Sequence, residues 1–256
     1  MKTGIAGRLL DVAVTLICWW YFLLVFLFVF SPFYAAASFS ASSEYRFQRL
    51  NRVFYGGFFA LLRRIAPRQQ WSADPGIADI RSSVLVCNHV SYLDPILLIS
   101  LLDRAKTIVK PVFFSVPVFG WILRKSGYFP ATASGPLGRL MLEQMETMGR
   151  YLAEGGNLFI FPQGTRSRDG GIGELNEGAF KIARYCKAPV HVLCICNTEK
   201  LFAPGKFFFN TCRPNRISVR ILDTILPDGP DYSRDELNCR VRRVLEGCMG
   251  ESAGGN

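Results

Sequence analysis

Histidine is scarce in this chain, because its 256 residues include only His89 and His191. The eight cysteines form no C-x2-C pair, and Cys194-x-Cys196 has the wrong spacing for a zinc knuckle. Several cysteines lie within apolar runs, where a cysteine usually packs as a small core side chain. We therefore expect reduced cysteines, as on the cytoplasmic side of a membrane, and no metal site.

Charged residues are absent from position 12 to position 43. The first part of this stretch is apolar and aromatic, and it is long enough to enter or cross a bilayer as a helix. Ala35–Ser38 resembles a signal-peptide cleavage site, but the apolar run is longer and more aromatic than a usual signal peptide. We therefore expect a membrane anchor. Basic residues flank it on both sides, so the positive-inside rule leaves open whether it spans the bilayer.

A second apolar pattern follows over residues 45–66. Its large side chains recur at three- and four-residue steps, which predicts an amphipathic helix with one apolar stripe: Phe47, Leu50, Phe54, Phe58, Leu61 and Ile65. Arginines lie among and beyond these positions, as in helices that lie in a membrane interface. We interpret the helix as interfacial. The alternative is a helix whose stripe faces the core of the globular domain.

The balance of charge is strongly basic, with 30 Lys and Arg against 20 Asp and Glu and a formal net charge of +10. No aromatic-and-basic recognition motif accompanies this charge, which argues against nucleic-acid binding. An anchored basic protein is attracted to anionic lipid surfaces. The same field would attract phosphorylated lipids, coenzyme A or acyl carrier protein.

Predicted strands and helices alternate from residue 83 onward, without internal repeats. This order predicts an α/β fold, a mixed sheet flanked by helices, preceded by an N-terminal membrane-anchoring helical element. We divide the chain into a membrane anchor with its amphipathic helix (residues 1–66), an α/β domain (67–250) and a disordered tail (251–256). Pro, Gly and Asp in residues 67–82 predict that the domain opens with a linker.

The polar motif Asn88-His89-Val90-Ser91-Tyr92-Leu93-Asp94 directly follows the apolar run Val84–Cys87, which predicts a buried strand. The turn after a strand can bring His89 and Asp94 together. A carboxylate that holds an imidazole in one tautomer and stabilises its protonated form makes the imidazole a general base. Cys87 is an alternative nucleophile, although a cysteine in such a run is more often a core residue.

A second polar motif, Phe161-Pro162-Gln163-Gly164-Thr165-Arg166-Ser167, follows another predicted strand. The guanidinium of Arg166 is suited to phosphate, because its donors form a planar fork that matches two oxygens. Gly164 would let the backbone approach a reacting carbonyl and stabilise an oxyanion. This motif is therefore a candidate anion site.

Together the two motifs resemble those of the glycerolipid acyltransferase family, which includes the 1-acylglycerol-3-phosphate acyltransferases. The first matches N-H-x-S-x-x-D at each defined position, and the second matches F-P-E-G-T-R-S except at Gln163. The resemblance covers roughly residues 80–225. It implies that His89 is the general base and that Asp94 orients it. Substrate contacts are expected from Asn88, Ser91, Gln163, Gly164, Thr165, Arg166 and Ser167.

The resemblance implies an O-acyltransferase that moves a fatty acyl group from acyl-CoA or acyl-ACP to a lyso-lipid hydroxyl. The expected acceptor is 1-acylglycerol-3-phosphate. This chemistry requires no metal or redox cofactor, since the thioester is already activated. The expected partners are membrane lipids, the lyso-lipid and the acyl carrier, with the protein on the cytoplasmic face of the inner or cell membrane. Val118–Trp121 is a candidate lining for an acyl-chain groove.

Two departures from the family's pattern affect the acceptor. Gln163 replaces a Glu, which keeps a hydrogen-bond acceptor but loses a negative charge. Gly127–Ala133 lacks the Arg that usually helps to hold the acceptor's phosphate, and Arg124 or Lys125 is an alternative source of charge. Three other hypotheses therefore stay open: a non-phosphate acceptor such as a lyso-ornithine lipid, a transacylase with a phospholipid donor, and a lipid-binding protein that has lost catalysis.

Overall fold

A computed structural model describes residues 4–131, 138–164, 172–229 and 232–254 of the chain. Within these ranges the strands are β1 (Gln69–Ala73), β2 (Val84–Cys87), β3 (Ala105–Val109), β4 (Phe129–Pro130), β5 (Asn157–Ile160), β6 (Val190–Cys196) and β7 (Asn215–Ile225). They form one seven-stranded sheet in the order β1-β7-β6-β2-β5-β3-β4. β7 runs antiparallel to β6, and the other neighbouring pairs are parallel.

Helices cover both faces of this sheet. α1 (Ile5–Trp20), a π-helical segment (Tyr21–Phe30) and α2 (Ser31–Ser38) form one continuous apolar helix. The other helices are α3 (Ser43–Ile65), α4 (Leu93–Leu101), α5 (Phe119–Lys125), α6 (Gly138–Ala153), α7 (Gly178–Cys186), α8 (Thr198–Leu201) and α9 (Arg234–Gly254). Short 3₁₀ turns lie at Pro75–Asp79 and Pro111–Ser115. The predicted α/β fold, a mixed sheet flanked by helices, is confirmed.

Strand β2 lies at the centre of the sheet and is buried on both faces. Its side chains alternate between two cores, one shared with α3 and α4 and the other with α6, α7 and α9. Val86 lies opposite Ile160 of β5 and Val192 of β6, so β2 and β5 end at nearly the same level, and the parallel strand β6 continues past them to Cys196. Ligands of open α/β sheets bind at such a carboxyl edge. The two polar motifs follow β2 and β5 and therefore emerge side by side.

The N-terminal apolar helix is docked along the α/β domain. Near its start, Asp11 Oδ1 accepts a hydrogen bond from the backbone N–H of Thr211 at 2.7 Å. Near its end, the Tyr34 hydroxyl donates to Asn51 Oδ1 of α3 at 2.7 Å. Cys18, between these points, is buried in the core that α3 and α4 share with the sheet. The anchor and the domain therefore have a common core.

The apolar stripe of α3 faces protein. Phe47, Phe54 and Phe58 are buried against the N-terminal helix and the domain, and the other three stripe residues are half-buried. The interfacial interpretation of this stripe is therefore wrong, and the alternative of a core-facing helix is correct. Exposed apolar side chains are instead numerous on the N-terminal helix, where they include Trp20, Leu23, Leu24, Leu27, Phe28 and Phe33, and a smaller group lies within residues 112–119.

Two predicted boundaries also differ from the structure. β1 lies within residues 67–82, which were expected to be a linker. The strand was missed because its polar sequence gives no sign of its pairing with the distant strand β7. α9 continues to Gly254, so a helix replaces the start of the expected tail. Residues 255 and 256 lie outside the described part of the chain.

A disulfide joins Cys194 of β6 to Cys248 of α9. The prediction of reduced cysteines is therefore wrong for this pair. The two residues are 54 positions apart, so no spacing rule connects them. Their proximity arises because α9 packs on β6.

Candidate active site

His89 and Asp94 meet in the turn between β2 and α4, as their spacing predicted. His89 Nδ1 lies 2.9 Å from Asp94 Oδ2. The Asp94 side chain is fully buried, whereas 17% of the His89 side chain is exposed. Since Nδ1 is engaged by the carboxylate, Nε2 is the ring nitrogen available to a ligand. An imidazole held in this way can accept a proton from a hydroxyl group.

Four donors converge on the Asp94 carboxylate. Oδ2 accepts from His89 Nδ1 and, at 2.7 Å each, from the backbone N–H groups of Val90 and Ser91. Oδ1 accepts from the Thr198 hydroxyl at 2.6 Å. These bonds fix the carboxylate and therefore the imidazole. The sequence did not point to Thr198, because it lies 104 residues after Asp94 and belongs to neither motif.

Phe161 fixes the other side of the imidazole. Its ring stacks on that of His89, with centroids 4.3 Å apart and planes inclined by 24°. Phe161 directly follows β5, and His89 lies just beyond the neighbouring strand β2, so the parallel pairing of the two strands creates the contact. The second motif contains this residue, but nothing in the sequence assigned it to the imidazole.

Asn88 and Ser91 bind the protein's own backbone. Asn88 is buried and forms two hydrogen bonds of 2.7 Å with Ile195 of β6, donating to its C=O and accepting from its N–H. The buried Ser91 hydroxyl donates to Phe202 O at 2.8 Å. Because these polar groups are engaged inside the protein, both residues position the turn. Contact of either side chain with substrate, which was also expected, stays a prediction.

The described part of the second motif lies against the first. Gln163 Oε1 accepts a long hydrogen bond, 3.4 Å, from the backbone N–H of His89. An amide oxygen can accept this hydrogen bond, although without the charge assistance that a carboxylate would give. Gly164 has φ +64°, a conformation that favours glycine. Its N–H donates to Phe161 O at 3.0 Å and closes a turn, and the expected approach of the backbone to an oxyanion stays a prediction.

The remaining residues of the second motif, Thr165, Arg166 and Ser167, lie outside the described part of the chain. Their expected contacts with substrate therefore stay predictions. Gln163 and Gly164, which precede them, are at the carboxyl edge of the sheet beside His89.

Neither Cys87 nor His191 has the environment of a catalytic group. Burial, and then the neighbouring charge of Asp94, raise the pKa of the Cys87 thiol well above its usual value, so the thiol is protonated near neutral pH. His191 lies near the start of β6, where its Nδ1 is 3.0 Å from the Thr224 hydroxyl, and burial lowers its pKa. The alternative of a Cys87 nucleophile is therefore disfavoured.

An apolar cavity of about 400 Å³ opens beside the His89 turn. Tyr92 and Leu93, from the turn itself, form part of its wall. Aromatic residues of the N-terminal helix and of α3 form another part, including Trp19, Phe22, Phe26 and Phe54. Val118 and Phe119, from the predicted acyl-chain lining, also face the cavity, whereas Trp121 packs on Phe47. The cavity suits a hydrocarbon chain whose reactive end lies near His89.

Comparison with known proteins agrees with the geometry. Residues 75–196, which contain both motifs, match the family model described as Acyltransferase. The chain is 32% identical over 164 residues to the chloroplastic 1-acyl-sn-glycerol-3-phosphate acyltransferase BAT2 of Brassica napus, covering 62% of this chain and 47% of that protein. It is 33% identical over 134 residues to the chloroplastic LPAT1 of Arabidopsis thaliana, covering 51% and 37%. The chain thus spans about half or less of the curated relatives it matches. The predicted resemblance is confirmed.

The fold is also found among solved structures. The crystal structure of PlsC, the 1-acyl-sn-glycerophosphate (LPA) acyltransferase from Thermotoga maritima, superimposes with a TM-score of 0.75 at 20% identity. The match covers 97% of this chain and 98% of that one. The two proteins therefore share a fold over nearly their whole length, including the N-terminal helices.

Proposed function

We propose that this chain, whose residues 75–196 are an acyltransferase-family domain, acylates the free hydroxyl of 1-acylglycerol-3-phosphate to give phosphatidate. The carrying observation is the His89–Asp94 pair, which a set of donors holds at the carboxyl edge of the sheet, beside an apolar cavity that Tyr92 and Leu93 of the same segment help to line. The printed names of the plant relatives support this choice of substrate.

The reaction moves the acyl group directly from the sulfur of a thioester to the hydroxyl oxygen of the acceptor, which forms an oxygen ester and releases a thiol. His89 Nε2 removes the proton from the acceptor hydroxyl while the oxygen attacks the thioester carbonyl. The protonated imidazole donates through Nδ1 to Asp94 Oδ2, which stabilises its positive charge. When the tetrahedral intermediate collapses, the C–S bond breaks and His89 returns the proton to the leaving thiolate. No acyl-enzyme is needed, because the thioester is an activated donor.

The acceptor's phosphate is assigned to the second motif. Arg166, which lies outside the described part of the chain, follows Gly164 by two residues in the sequence, and its guanidinium fork is the proposed phosphate ligand. Arg124 and Lys125 are the alternative sources of charge for the missing Arg in Gly127–Ala133, and Nη1 of Arg124 donates to Phe114 O at 2.6 Å. Without an Arg in Gly127–Ala133, the anion-binding site has fewer positive charges than the family's pattern provides, which is compatible with an acceptor that lacks a phosphomonoester. A lyso-ornithine or other non-phosphate lyso-lipid is therefore the second candidate acceptor.

Membrane association is assigned to the N-terminal helix, which by length and hydropathy is able to cross a bilayer. Its contacts with the rest of the protein run from Asp11 to Tyr34, up to about 35 Å of helix at the α-helical rise of 1.5 Å per residue. This length exceeds the roughly 30 Å hydrocarbon core, so a spanning helix would pull the domain into the bilayer. We therefore favour a monotopic anchor, with the active site on the cytoplasmic face where acyl-CoA or acyl-ACP is available.

A transfer assay with a panel of acceptors tests this proposal. The detergent-solubilised protein is given radiolabelled acyl-CoA or acyl-ACP with lysophosphatidate, lyso-ornithine lipid or other lyso-lipids, and the products are separated. Label in phosphatidate is the expected result. Label found only in a non-phosphate product would show that the acceptor is a non-phosphate lyso-lipid and not lysophosphatidate. Binding of lyso-lipid without turnover by either thioester would contradict the proposed activity, and label transfer from phospholipid alone would assign a transacylase.

A further inference from the structure

Three buried cysteines meet between β6 and α9. Cys194 and Cys196 are two residues apart on β6, so their side chains share one face of the strand, and Cys248 extends from α9 to the same place. The three sulfur atoms lie within 4.8 Å of one another. The proposed acyl transfer gives this cluster no role.

The third sulfur is not explained by the disulfide. Cys196 Sγ lies 3.6 Å from Cys194 Sγ and 3.8 Å from Cys248 Sγ. A permanent cross-link needs no third thiol, and a thiol beside a disulfide promotes exchange. In a tetrahedral site with zinc–sulfur bonds near 2.3 Å, neighbouring sulfurs lie about 3.8 Å apart. Both distances to Cys196 match that separation.

The charge next to the cluster fits bound metal. Arg220 Nη2 donates to Cys248 Sγ at 3.0 Å. Three thiolates alone would place three negative charges in a buried site, whereas three thiolates with a divalent cation leave one. The Arg220 guanidinium balances that single charge, and buried charge is tolerated only when it is balanced.

We propose that Cys194, Cys196 and Cys248 bind one thiophilic divalent cation of the zinc class when their disulfide is reduced. A dithiol reductant delivers two electrons and two protons to the Cys194–Cys248 disulfide, which becomes two thiols while the reductant becomes a disulfide. Metal binding then displaces three thiol protons and forms three metal–sulfur bonds. The disulfide and the metal complex are thus alternative states of the same sulfurs.

The bound metal would stabilise the strand end that supports the catalytic pair. Cys196 is the last residue of β6, and Thr198, two residues later, donates to Asp94. Ile195, between the two cysteines of β6, forms both backbone bonds with Asn88. A cation that holds α9 against β6 would therefore resist separation of these elements without entering the chemistry.

Zinc binding to the full-length protein in detergent tests this proposal. The protein is reduced, titrated with Zn²⁺ against a chelator, and its bound metal is counted by mass spectrometry. We expect the reduced wild type to bind one zinc per chain and to melt at a higher temperature with zinc than without it. Cys239→Ser, which removes an exposed cysteine of α9 outside the cluster, is the matched control and should behave like the wild type.

Cys196→Ser separates the metal site from the disulfide, because it leaves Cys194 and Cys248 in place. We expect it to weaken zinc binding by more than the roughly 10- to 100-fold that follows loss of a hydrogen bond to a ligand. Equal affinity in this variant would overturn the proposal. A reduced wild type that re-forms its disulfide but takes up no zinc would also overturn it. Cadmium can replace zinc as a spectroscopic probe, and cadmium uptake without an ultraviolet thiolate-to-metal band would overturn it as well.

Discussion

At the scale of single residues, the positioning of Asp94 separates this site from a simple histidine–carboxylate contact. Thr198 donates to Asp94 Oδ1, the oxygen that His89 does not use. The hydroxyl therefore acts on the imidazole only through the carboxylate, as a positioning group. Its removal should affect the rate of transfer more than the binding of substrate.

We predict that Thr198→Val lowers kcat by roughly 10- to 100-fold, because a hydrogen bond to a charged group contributes about 1.5–3 kcal/mol. KM should change little, and Thr198→Ser should restore most of the rate. Steady-state kinetics of the two variants provide the check. An unchanged kcat in Thr198→Val, with normal folding, would show that the other donors suffice to hold the carboxylate.

The Cys87 thiol gives a second prediction at this scale. Because burial raises its pKa well above the usual value, the thiol stays protonated through the neutral range and gains its charge only at high pH. We predict that Cys87→Ala keeps acyl transfer within about threefold of the wild type, as for a conservative change in a core. Loss of transfer with an intact fold, or an acyl adduct on Cys87 detected by mass spectrometry, would restore the nucleophile hypothesis.

At the scale of secondary-structure elements, Asn88 ties the end of β2 to β6. Its removal would leave the buried N–H and C=O of Ile195 without their partner, at a cost of about 2–4 kcal/mol. We predict that Asn88→Ala lowers the melting temperature by roughly 5–10 °C. Asn210→Ala is the control, since its exposed side chain makes one bond of 3.2 Å. Equal stability of the two variants would contradict the positioning role of Asn88.

The N-terminal helix gives another prediction about an element. Leu23, Leu27 and Phe28 are 55%, 50% and 71% exposed on the side of the helix away from the domain core. Each contributes about 1.5–3 kcal/mol when buried in an apolar phase. We predict that replacing all three with Gln lowers binding to lipid vesicles by more than about 100-fold, while transfer to detergent-dispersed acceptor continues.

Leu226→Gln is the matched control for that experiment. Leu226 is 59% exposed just after β7, whose end pairs with the start of β6, so it lies at the edge of the sheet opposite the active site. Vesicle flotation should be unchanged in this variant. Flotation that is equally strong in the triple variant would place the membrane contact elsewhere.

At the scale of the whole molecule, the sequence predicted what short-range patterns encode. The apolar run Val84–Cys87 and the polar residues after it predicted a strand and a catalytic turn, and the structure contains both. The patterns did not distinguish a helix face buried by protein from one buried by lipid, so the stripe of α3 was misassigned. Contacts between distant segments, such as Thr198 with Asp94, depend on the folded sheet and leave no local signal.

The chain's two histidines allow the central claim to be tested with one paired measurement. His89→Ala and His191→Ala are compared with the wild type for transfer of label from an acyl thioester to lysophosphatidate. The account predicts that His89→Ala loses about 10²- to 10⁴-fold in kcat, the usual contribution of a general base, and that His191→Ala keeps the wild-type rate. Full transfer by folded, membrane-bound His89→Ala would contradict it.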